Sequence, residues 1–421
     1  MFGRIKGTQD LLDLTLINFV LSTIKQHLIT YHFTQIETPI IESTDLFTRS
    51  LGVQTDVVSK EMFLIKGKDQ DSDGTICLRP EATASTVRAF VENAIAQTPW
   101  KAFSYGPMFR YERPQKGRFR QFHQINIETI GSSAVEQDVQ FIKMLDRYFS
   151  EKLSLNNYAL LINYLGCPED RVRYRATLLA FLQTPQAQGI CSLCQERKEK
   201  NLMRIFDCKV PNCQLIYQNA PRLIDSLCAP CSQEWQTLQN DLELLSVTFI
   251  VQPHLVRGLD YYQKTVFEFV SHNLGAQSAF CGGGRYDQLV SQIGGKQDQP
   301  SIGAAIGMER LVLLLEPYKD TLPLPQLPPL HAIVPMAPEQ KALALLLADE
   351  LQAHNLCTEI FLESDSMKSM MRKANKIGAK YVLILGENEQ KTHSVTIKNM
   401  INGTEENMPQ VNAVPYLLHQ I

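Results

Sequence analysis

Five of the chain's 21 prolines fall between residues 317 and 329, at Pro317, Pro323, Pro325, Pro328 and Pro329. Proline lacks a backbone donor and has a fixed φ, so this stretch can neither extend a helix nor enter the middle of a sheet. It reads as a stiff linker that divides the chain, with its core at 321–329. Beyond it, short apolar runs alternate with helical periods: HAIVP, a helix over 339–354, CTEIFL, a helix over 366–377, YVLILG and a polar hairpin-like tail. That order predicts a small α/β domain with a largely parallel sheet over 330–421.

Residues 1–320 have a different rhythm. Apolar residues at helical spacing predict an amphipathic helix over 11–31. FTQIETPII reads as a strand with Pro39 at an edge or bend, and TDLFTRSLG as a short helix stopping at Gly52. Residues 80–97 read as a helix with Pro80 in its first turn. WKAFSYGPMFRYE and FRQFHQINIETIG read as antiparallel strands joined by the basic loop RPQKGR, followed by a helix near 135–152. After a strand at 154–165, residues 167–245 turn rich in Arg, Gln, Leu and Cys and read as a mainly helical insertion. Strand character returns at 247–252 and through DYYQKTVFEFV; GGGRYD reads as a turn into a helix, and 308–316 as a helix.

Hydrophobic residues make up 44% and charged residues 20%, with a formal net charge of −3. Such a chain is no polybasic nucleic-acid binder, so any RNA contact must come from local patches. MFGRIKGTQDLLDL carries no signal-peptide apolar run, and no apolar stretch reaches membrane-spanning length. The expectation is a cytoplasmic protein whose ten cysteines are thiols or metal ligands rather than disulfides.

Several segments carry candidate chemistry. In the hairpin at 103–128, Arg110, Arg113, Lys116, Arg118 and Arg120 stand against one acid, Glu112. Alternation places Arg110 with Glu112, and Gln124 with Asn126 and Glu128, on single strand faces. One face can present cation, acid and amide to a ligand, and the same residues also suit a solvated hairpin. In LRPEATAS, Glu81 at a helix start can hold an ammonium beside the Thr83 hydroxyl, or serve the helix terminus. IGAAIGMER offers small residues for close ligand approach and Arg310 one turn on, or close helix packing. RGLDYY sets the permanent cation Arg257 near the phenols Tyr261 and Tyr262, a combination suited to a small polar ring that also carries an anion.

FRYE at 109–112 is similar to the second signature motif of the class II aminoacyl-tRNA synthetases, IGMER at 306–310 to the third, and ETPIIES at 37–43 to the first, which shapes the dimer interface. RGLDYY at 257–262 and GGGRYD at 282–287 are similar to the two signatures of the histidine-specific branch. In this order, from about residue 3 to near the C-terminus, the chain resembles the histidyl-tRNA synthetases. The resemblance implies an α+β catalytic domain with an antiparallel sheet, interrupted by the insertion, and a C-terminal α/β anticodon-binding domain. It further implies a homodimer.

The implied reaction is ATP- and Mg²⁺-dependent activation of L-histidine to histidyl-adenylate, then transfer to the 3′ end of tRNA(His). By resemblance, Arg110 grips the α-phosphate, Arg257 is the histidine-specific catalytic arginine, and Arg310 serves the ATP end. Glu112 and Phe122 flank adenine. Glu81, Ala82 and Thr83 surround the α-ammonium, with alanine where some members have glycine; Gln124 meets the carboxylate. Glu128 and Tyr262 read the imidazole, with Tyr261 beside them. Arg113, Lys116, Arg118, Lys368 and Arg372 are candidates for tRNA. Two rivals are a non-catalytic synthetase-like regulatory subunit of histidine biosynthesis, which lacks the anticodon domain, and a class II synthetase for another amino acid. Within the insertion, Cys191–Cys194 and Cys228–Cys231 form two CxxC pairs that suit one structural zinc with four thiolates, or stay free; Cys208 and Cys213, between them, can substitute as ligands or stay free.

Overall fold

The helix expected over 11–31 runs from Thr15 to Ile29 and buries Leu16, Phe19, Val20, Ile24 and Leu28, the three- and four-residue spacing of a single apolar face. This is read from a computed structural model, which describes residues 2–66, 75–275, 278–363 and 365–420. The chain divides into two compact units, Met1–Leu324 and Pro325–Ile421. The start of the proline-rich segment belongs to the first unit, where Leu322 and Leu324 pack on the main core.

In chain order, the strands of the first unit are β1 (Thr34–Gln35), β2 (Ile41–Ser43), β3 (Phe63–Ile65), β4 (Ile76–Leu78), β5 (Trp100–Phe109), β6 (Gln121–Ile130), β7 (Ala159–Tyr164), β8 (Ile250–Val251), β9 (Gln263–Val270), β10 (Ala279–Arg285) and β11 (Ser301–Gly307). Eight of them form one sheet in the order β1-β5-β6-β11-β10-β9-β7-β8. Its pairings are antiparallel except at the two edges, where β1 joins β5 and β8 joins β7 in parallel. The segment FTQIETPII is mostly not strand. Only Thr34 and Gln35 pair with the large sheet, and β2 then joins β3 and β4 in a separate three-stranded sheet.

Register explains the two faces of the large sheet. One face sends Phe103, Ile125, Ile127, Phe267, Phe269 and Ile306 into the main core. On the other face, Asn126 aligns with Ala305, Ala305 with Gly282, and Gly282 with Glu268. Two residues away along the strands, Glu128 aligns with Gly303 and Gly303 with Gly284. The two central strands thus contribute a floor of small residues, and the flanking strands contribute polar walls.

Two local expectations are corrected. GGGRYD is the end of β10 and the turn after it, and a short helix begins only at Leu289. Its glycines serve close approach: a Cβ on Gly283 would sit 2.8 Å from the Ala304 Cβ and 2.8 Å from the Phe267 ring. The helix expected from Pro80 starts at Thr83 and ends at Glu92. Gly52, with φ 87°, does terminate the helix Thr44–Leu51. The insertion is helical, with helices at Pro168–Phe181, Ser192–Lys200, Pro211–Tyr217 and Ala229–Leu244.

The second unit holds β12 (His331–Pro335), β13 (Thr358–Ile360), β14 (Tyr381–Leu385), β15 (Ser394–Asn399) and β16 (Glu405–Pro409), in the order β13-β12-β14-β15-β16. The first three are parallel, and the tail adds an antiparallel hairpin. The helix Lys341–Ala353 covers one face through Leu347 and Leu351; the helix Met367–Lys376 covers the other through Met370 and Ala374. Among the described residues no helix is long and apolar enough to cross a membrane.

Candidate active site

Above the glycine and alanine floor lies a cavity of about 570 Å³. It collects residues from segments up to 254 positions apart, since Asp56 and Arg310 both line it. Arg110, Arg257 and Arg310 are all in its wall, as are Glu112 and Phe122. So are Glu81, Thr83, Gln124, Tyr261, Tyr262 and Arg118. Ala82 is fully buried behind the lining, and Arg113 and Lys116 lie exposed in the hairpin loop outside it.

Each cation is held from behind. Arg110 follows the last residue of β5 and donates Nε to the Pro80 carbonyl at 2.9 Å, with its guanidinium carbon 5.4 Å from the Phe122 ring centre. Arg310, in the first turn of the helix Met308–Leu315, donates to the carbonyls of Gly117 at 3.0 Å and Ala279 at 2.6 Å. Arg257 pairs with Glu268 of β9 and lies 5.7 Å from the centre of the Tyr262 ring. Burial alone would lower the Arg257 pKa, but the Glu268 carboxylate outweighs it and holds the guanidinium firmly charged. Arg310 is pushed down to about 10, by burial first and then by Arg110 and Arg118. It remains a cation at neutral pH, and its repulsion from Arg110 and Arg118 is local, because the lining as a whole also carries carboxylates, Glu61, Glu81, Glu112 and Glu268 among them.

The acids divide into distinct duties. Glu81 spans the start of the helix Thr83–Glu92, its two oxygens accepting the backbone N–H groups of Thr83 at 2.8 Å and Ala84 at 2.9 Å. It is 3% exposed and its proton affinity is raised by burial. Glu112 pairs with Arg118 across the hairpin loop. Glu128 lies beneath the lining rather than in it: the Thr83 hydroxyl donates to one oxygen at 2.7 Å and the Tyr286 phenol to the other. Burial pushes Glu128 up to about 8. Gly303 makes room for it, since a Cβ there would come within 2.5 Å of its carboxyl carbon. Burial likewise raises Tyr261 and Tyr262, so both phenols keep their protons and can donate. Among the described residues the Gln124 carbonyl oxygen and the Arg257 Nε have no hydrogen-bond partner, and both are buried in the wall of a cavity that a polar ligand would fill.

Several residues of the cavity wall and of the layer beneath it went unread in the sequence. Glu268 sits on β9 amid apolar neighbours and carries no spacing signal. Tyr286, the aromatic of GGGRYD, is the partner of Glu128. Glu309, next to Arg310, accepts the backbone N–H of His123 at 3.0 Å. From the insertion, Arg197, Arg204 and Lys209 also line the cavity. Arg197 and Arg204 each approach Asp56 at 3.4 Å, and Arg204 donates to the Gly258 carbonyl at 2.7 Å. The insertion is therefore a wall of the site. The two CxxC pairs, by contrast, do not meet: Cys191 and Cys194 cluster with Cys208 and Cys213, whereas Cys228 and Cys231 cluster with Cys167 and Asp170. The single site expected from the two pairs is corrected accordingly.

The family model for histidyl-tRNA synthetase matches residues 17–311, and that for the anticodon binding domain matches residues 331–420. The chain belongs to the histidyl-tRNA synthetase family. A histidine–tRNA ligase of Solidesulfovibrio magneticus is 42% identical over 97% of this chain and 95% of its own length. One from Thermodesulfovibrio yellowstonii is 41% identical over 96% and 95%. The apo crystal structure of Staphylococcus aureus histidyl-tRNA synthetase superposes with a TM-score of 0.80 at 29% identity, covering 99% of both chains. A Bacillus halodurans ATP phosphoribosyltransferase regulatory subunit/histidyl-tRNA synthetase shares the fold at 19% identity and a TM-score of 0.63. The curated relatives matched at 41–42% identity over nearly the whole chain are named histidine–tRNA ligases, which favours the ligase over the regulatory alternative.

Proposed function

We propose that the protein is a histidine–tRNA ligase that condenses L-histidine with ATP to histidyl-adenylate and transfers the histidyl group to the 3′ end of tRNA(His). The observation that carries this reading is the convergence of Arg110, Arg257 and Arg310 with Glu81, Thr83, Gln124 and the two phenols in one cavity. Adenylate formation moves negative charge onto the α-phosphate as the histidine carboxylate attacks, and cations already fixed by carbonyls and a carboxylate stabilise it without reorganising. Arg110 and Arg257 take that role, with Arg310 at the far phosphates. Phe122 offers a stacking face to adenine, with Glu112 and the backbone of the hairpin loop beside it.

Glu81, anchored by two N–H groups, keeps its orientation for the substrate ammonium, with the Thr83 hydroxyl adjacent. Gln124 uses its unpartnered oxygen and its amide toward the amino acid's polar end. The imidazole carries one donor and one acceptor, and it is read by the Glu128–Tyr286 pair from below and by Tyr262 from the side. An amino acid that leaves these buried groups unpaired is penalised by several kcal/mol, about 10⁴–10⁵-fold in the best-built sites of this kind. Glu61, a carboxylate of the cavity wall, fits the hard-oxygen preference of Mg²⁺, with ATP phosphates as the other ligands. When bound, Mg²⁺ neutralises phosphate charge.

For tRNA, Arg113 and Lys116 are exposed in the hairpin loop, and Lys368, Arg372 and Lys376 recur at four-residue steps on the exposed side of the helix Met367–Lys376. A cytoplasmic place and a homodimer belong to the same proposal. The dimer is supported by the exposed apolar side chains Ile40 and Ile41 in ETPIIES and Leu64 of β3 in the same small sheet. The test is histidine-dependent ATP–pyrophosphate exchange together with histidylation of tRNA. Exchange and charging support the assignment. Absence of both, or exchange with a different amino acid, overturns it.

A further inference from the structure

The insertion sets out two groups of metal-ligating atoms, not one. Cys191, Cys194, Cys208 and Cys213 form the first, and Cys167, Asp170, Cys228 and Cys231 the second; within each, the ligand atoms lie within 4.8 Å of one another. We propose that these are two separate structural zinc sites, the first with four thiolates and the second with three thiolates and a carboxylate. This stands on the insertion's geometry and is independent of the reaction assigned to the cavity.

The sulfur spacing fits tetrahedral zinc coordination. Zinc–sulfur bonds of about 2.3 Å place tetrahedral sulfurs about 3.8 Å apart. Cys191 Sγ and Cys208 Sγ are 3.8 Å apart, and Cys167 Sγ and Cys228 Sγ are 4.0 Å apart. Both separations far exceed the S–S bond of about 2.05 Å in a disulfide. A polynuclear iron–sulfur cluster would insert iron and sulfide between the cysteines and spread them further. Four protein ligands in each group complete a tetrahedral shell and leave no open position for a substrate, the pattern of a structural site.

Local structure explains how the ligands converge. Three of the four ligand pairs occupy the residue preceding a helix and the third residue inside it: Cys167 with Asp170, Cys191 with Cys194, and Cys228 with Cys231. Both positions face the space in front of the helix's first turn, so an x₂ spacing delivers two ligands to one point. Backbone donors already point at the sulfurs, from Cys191 N to Cys213 Sγ at 3.2 Å and from Val210 N to Cys208 Sγ at 3.4 Å. Such N–H···S contacts steady thiolate charge around a metal. In the second group, Asp170 accepts the Cys228 N–H at 2.8 Å and the Arg173 guanidinium on Oδ1, and the Cys167 N–H at 3.2 Å on Oδ2, which ties the two knuckles together and leaves a lone pair on Oδ2 for the ion.

The insertion has a small core of its own, in which Tyr174, Leu178, Leu202, Ile205 and Tyr217 pack around Cys194, Cys208 and Cys213. The helix Ser192–Lys200 adds only Cys194 to it. Metal binding adds folding free energy to a core of this size directly. The segment between Cys194 and Cys208 carries Arg197 and Arg204, so the first site fixes a wall of the catalytic cavity.

The test uses full-length protein expressed with zinc in the medium and purified without chelator or metal resin, then analysed by elemental mass spectrometry. About two zinc ions per chain are expected, one for each four-ligand group. Cys213→Ser and Cys231→Ser should each remove one of the two. Should either variant fail to fold, zinc K-edge absorption on the unaltered protein decides: a sulfur-dominated shell near 2.3 Å with a minor oxygen component is expected. Metal-free protein overturns the proposal. So does one zinc lost in Cys231→Ser and kept in Cys213→Ser, the pattern of a single site built from the two CxxC pairs.

Discussion

Adding one methyl group at Gly282 should disarm Arg257 while leaving the chain folded. A Cβ at this position would lie 2.6 Å from the Arg257 guanidinium carbon and 2.7 Å from Nη2, against ordinary contact distances that begin at 3.4 Å. Moving the carbon from 2.6 to 3.4 Å displaces the guanidinium by about 0.8 Å, and displacement near 1 Å costs about 10²-fold when the group must be aimed at a reacting atom. That is about 2.7 kcal/mol of transition-state stabilisation. The obstruction is the far end of a flexible side chain, so stability should change little. In histidine-dependent pyrophosphate exchange, Gly282→Ala should lower kcat about a hundredfold with an unchanged melting temperature. Arg257→Ala should be as slow or slower, and the double variant should match Arg257→Ala, because both changes remove one interaction. Exchange at near wild-type speed in Gly282→Ala, or a further hundredfold loss when it is added to Arg257→Ala, would refute the reasoning.

Burial raises Glu128 to about 8 from an ordinary 4.5, so the folded chain keeps a proton that the unfolded chain gives up. Its contribution to stability is full below pH 4.5 and is lost as pH rises through about 8. Glu128→Gln should therefore flatten the decline in melting temperature of the ligand-free protein between those limits; parallel declines would contradict the raised carboxyl. Arg285 and Asp138 form a buried ion pair, 2% and 0% exposed, and Arg285→Ala should cost about 3–5 kcal/mol in urea unfolding by stranding the acid. A loss under about 1 kcal/mol would count against it. Replacing Lys368 and Arg372 by alanine should raise the KM for tRNA and reduce the salt dependence of binding by about one unit of slope per lost phosphate contact. An unchanged slope would place the tRNA elsewhere.

The elements that read clearly in the sequence were those with strong local signals. The β5–β6 hairpin announced itself through alternation and a basic turn, Gly52 ended its helix, and the prolines fell near the junction of the two units. Residues of the cavity wall that sit on charged or aromatic motifs, such as Arg110, Arg257 and Tyr262, were equally visible. What failed to read depended on tertiary pairing. Three successive glycines at 282–284 signal a turn locally, yet here they let Arg257 and neighbouring strands pack across β10. Glu268 acquires its role only when β9 pairs with β10 and brings it beside Arg257. Pro80 and Glu81 looked like a first helical turn, but Glu81 works from outside the helix through its side chain. Two CxxC pairs invite a single site, whereas folding completes each pair with ligands distant in sequence, Asp170 and Cys208 among them.

A crystal structure with L-histidine and a non-hydrolysable ATP analogue is the most direct trial of the idea that one cavity both activates phosphate and reads imidazole. The α-phosphate should lie within hydrogen-bond reach of Arg110 and Arg257, with the imidazole between Tyr262 and the Glu128 side of the floor. An imidazole bound away from both, or phosphates that leave the arginines untouched, would contradict it.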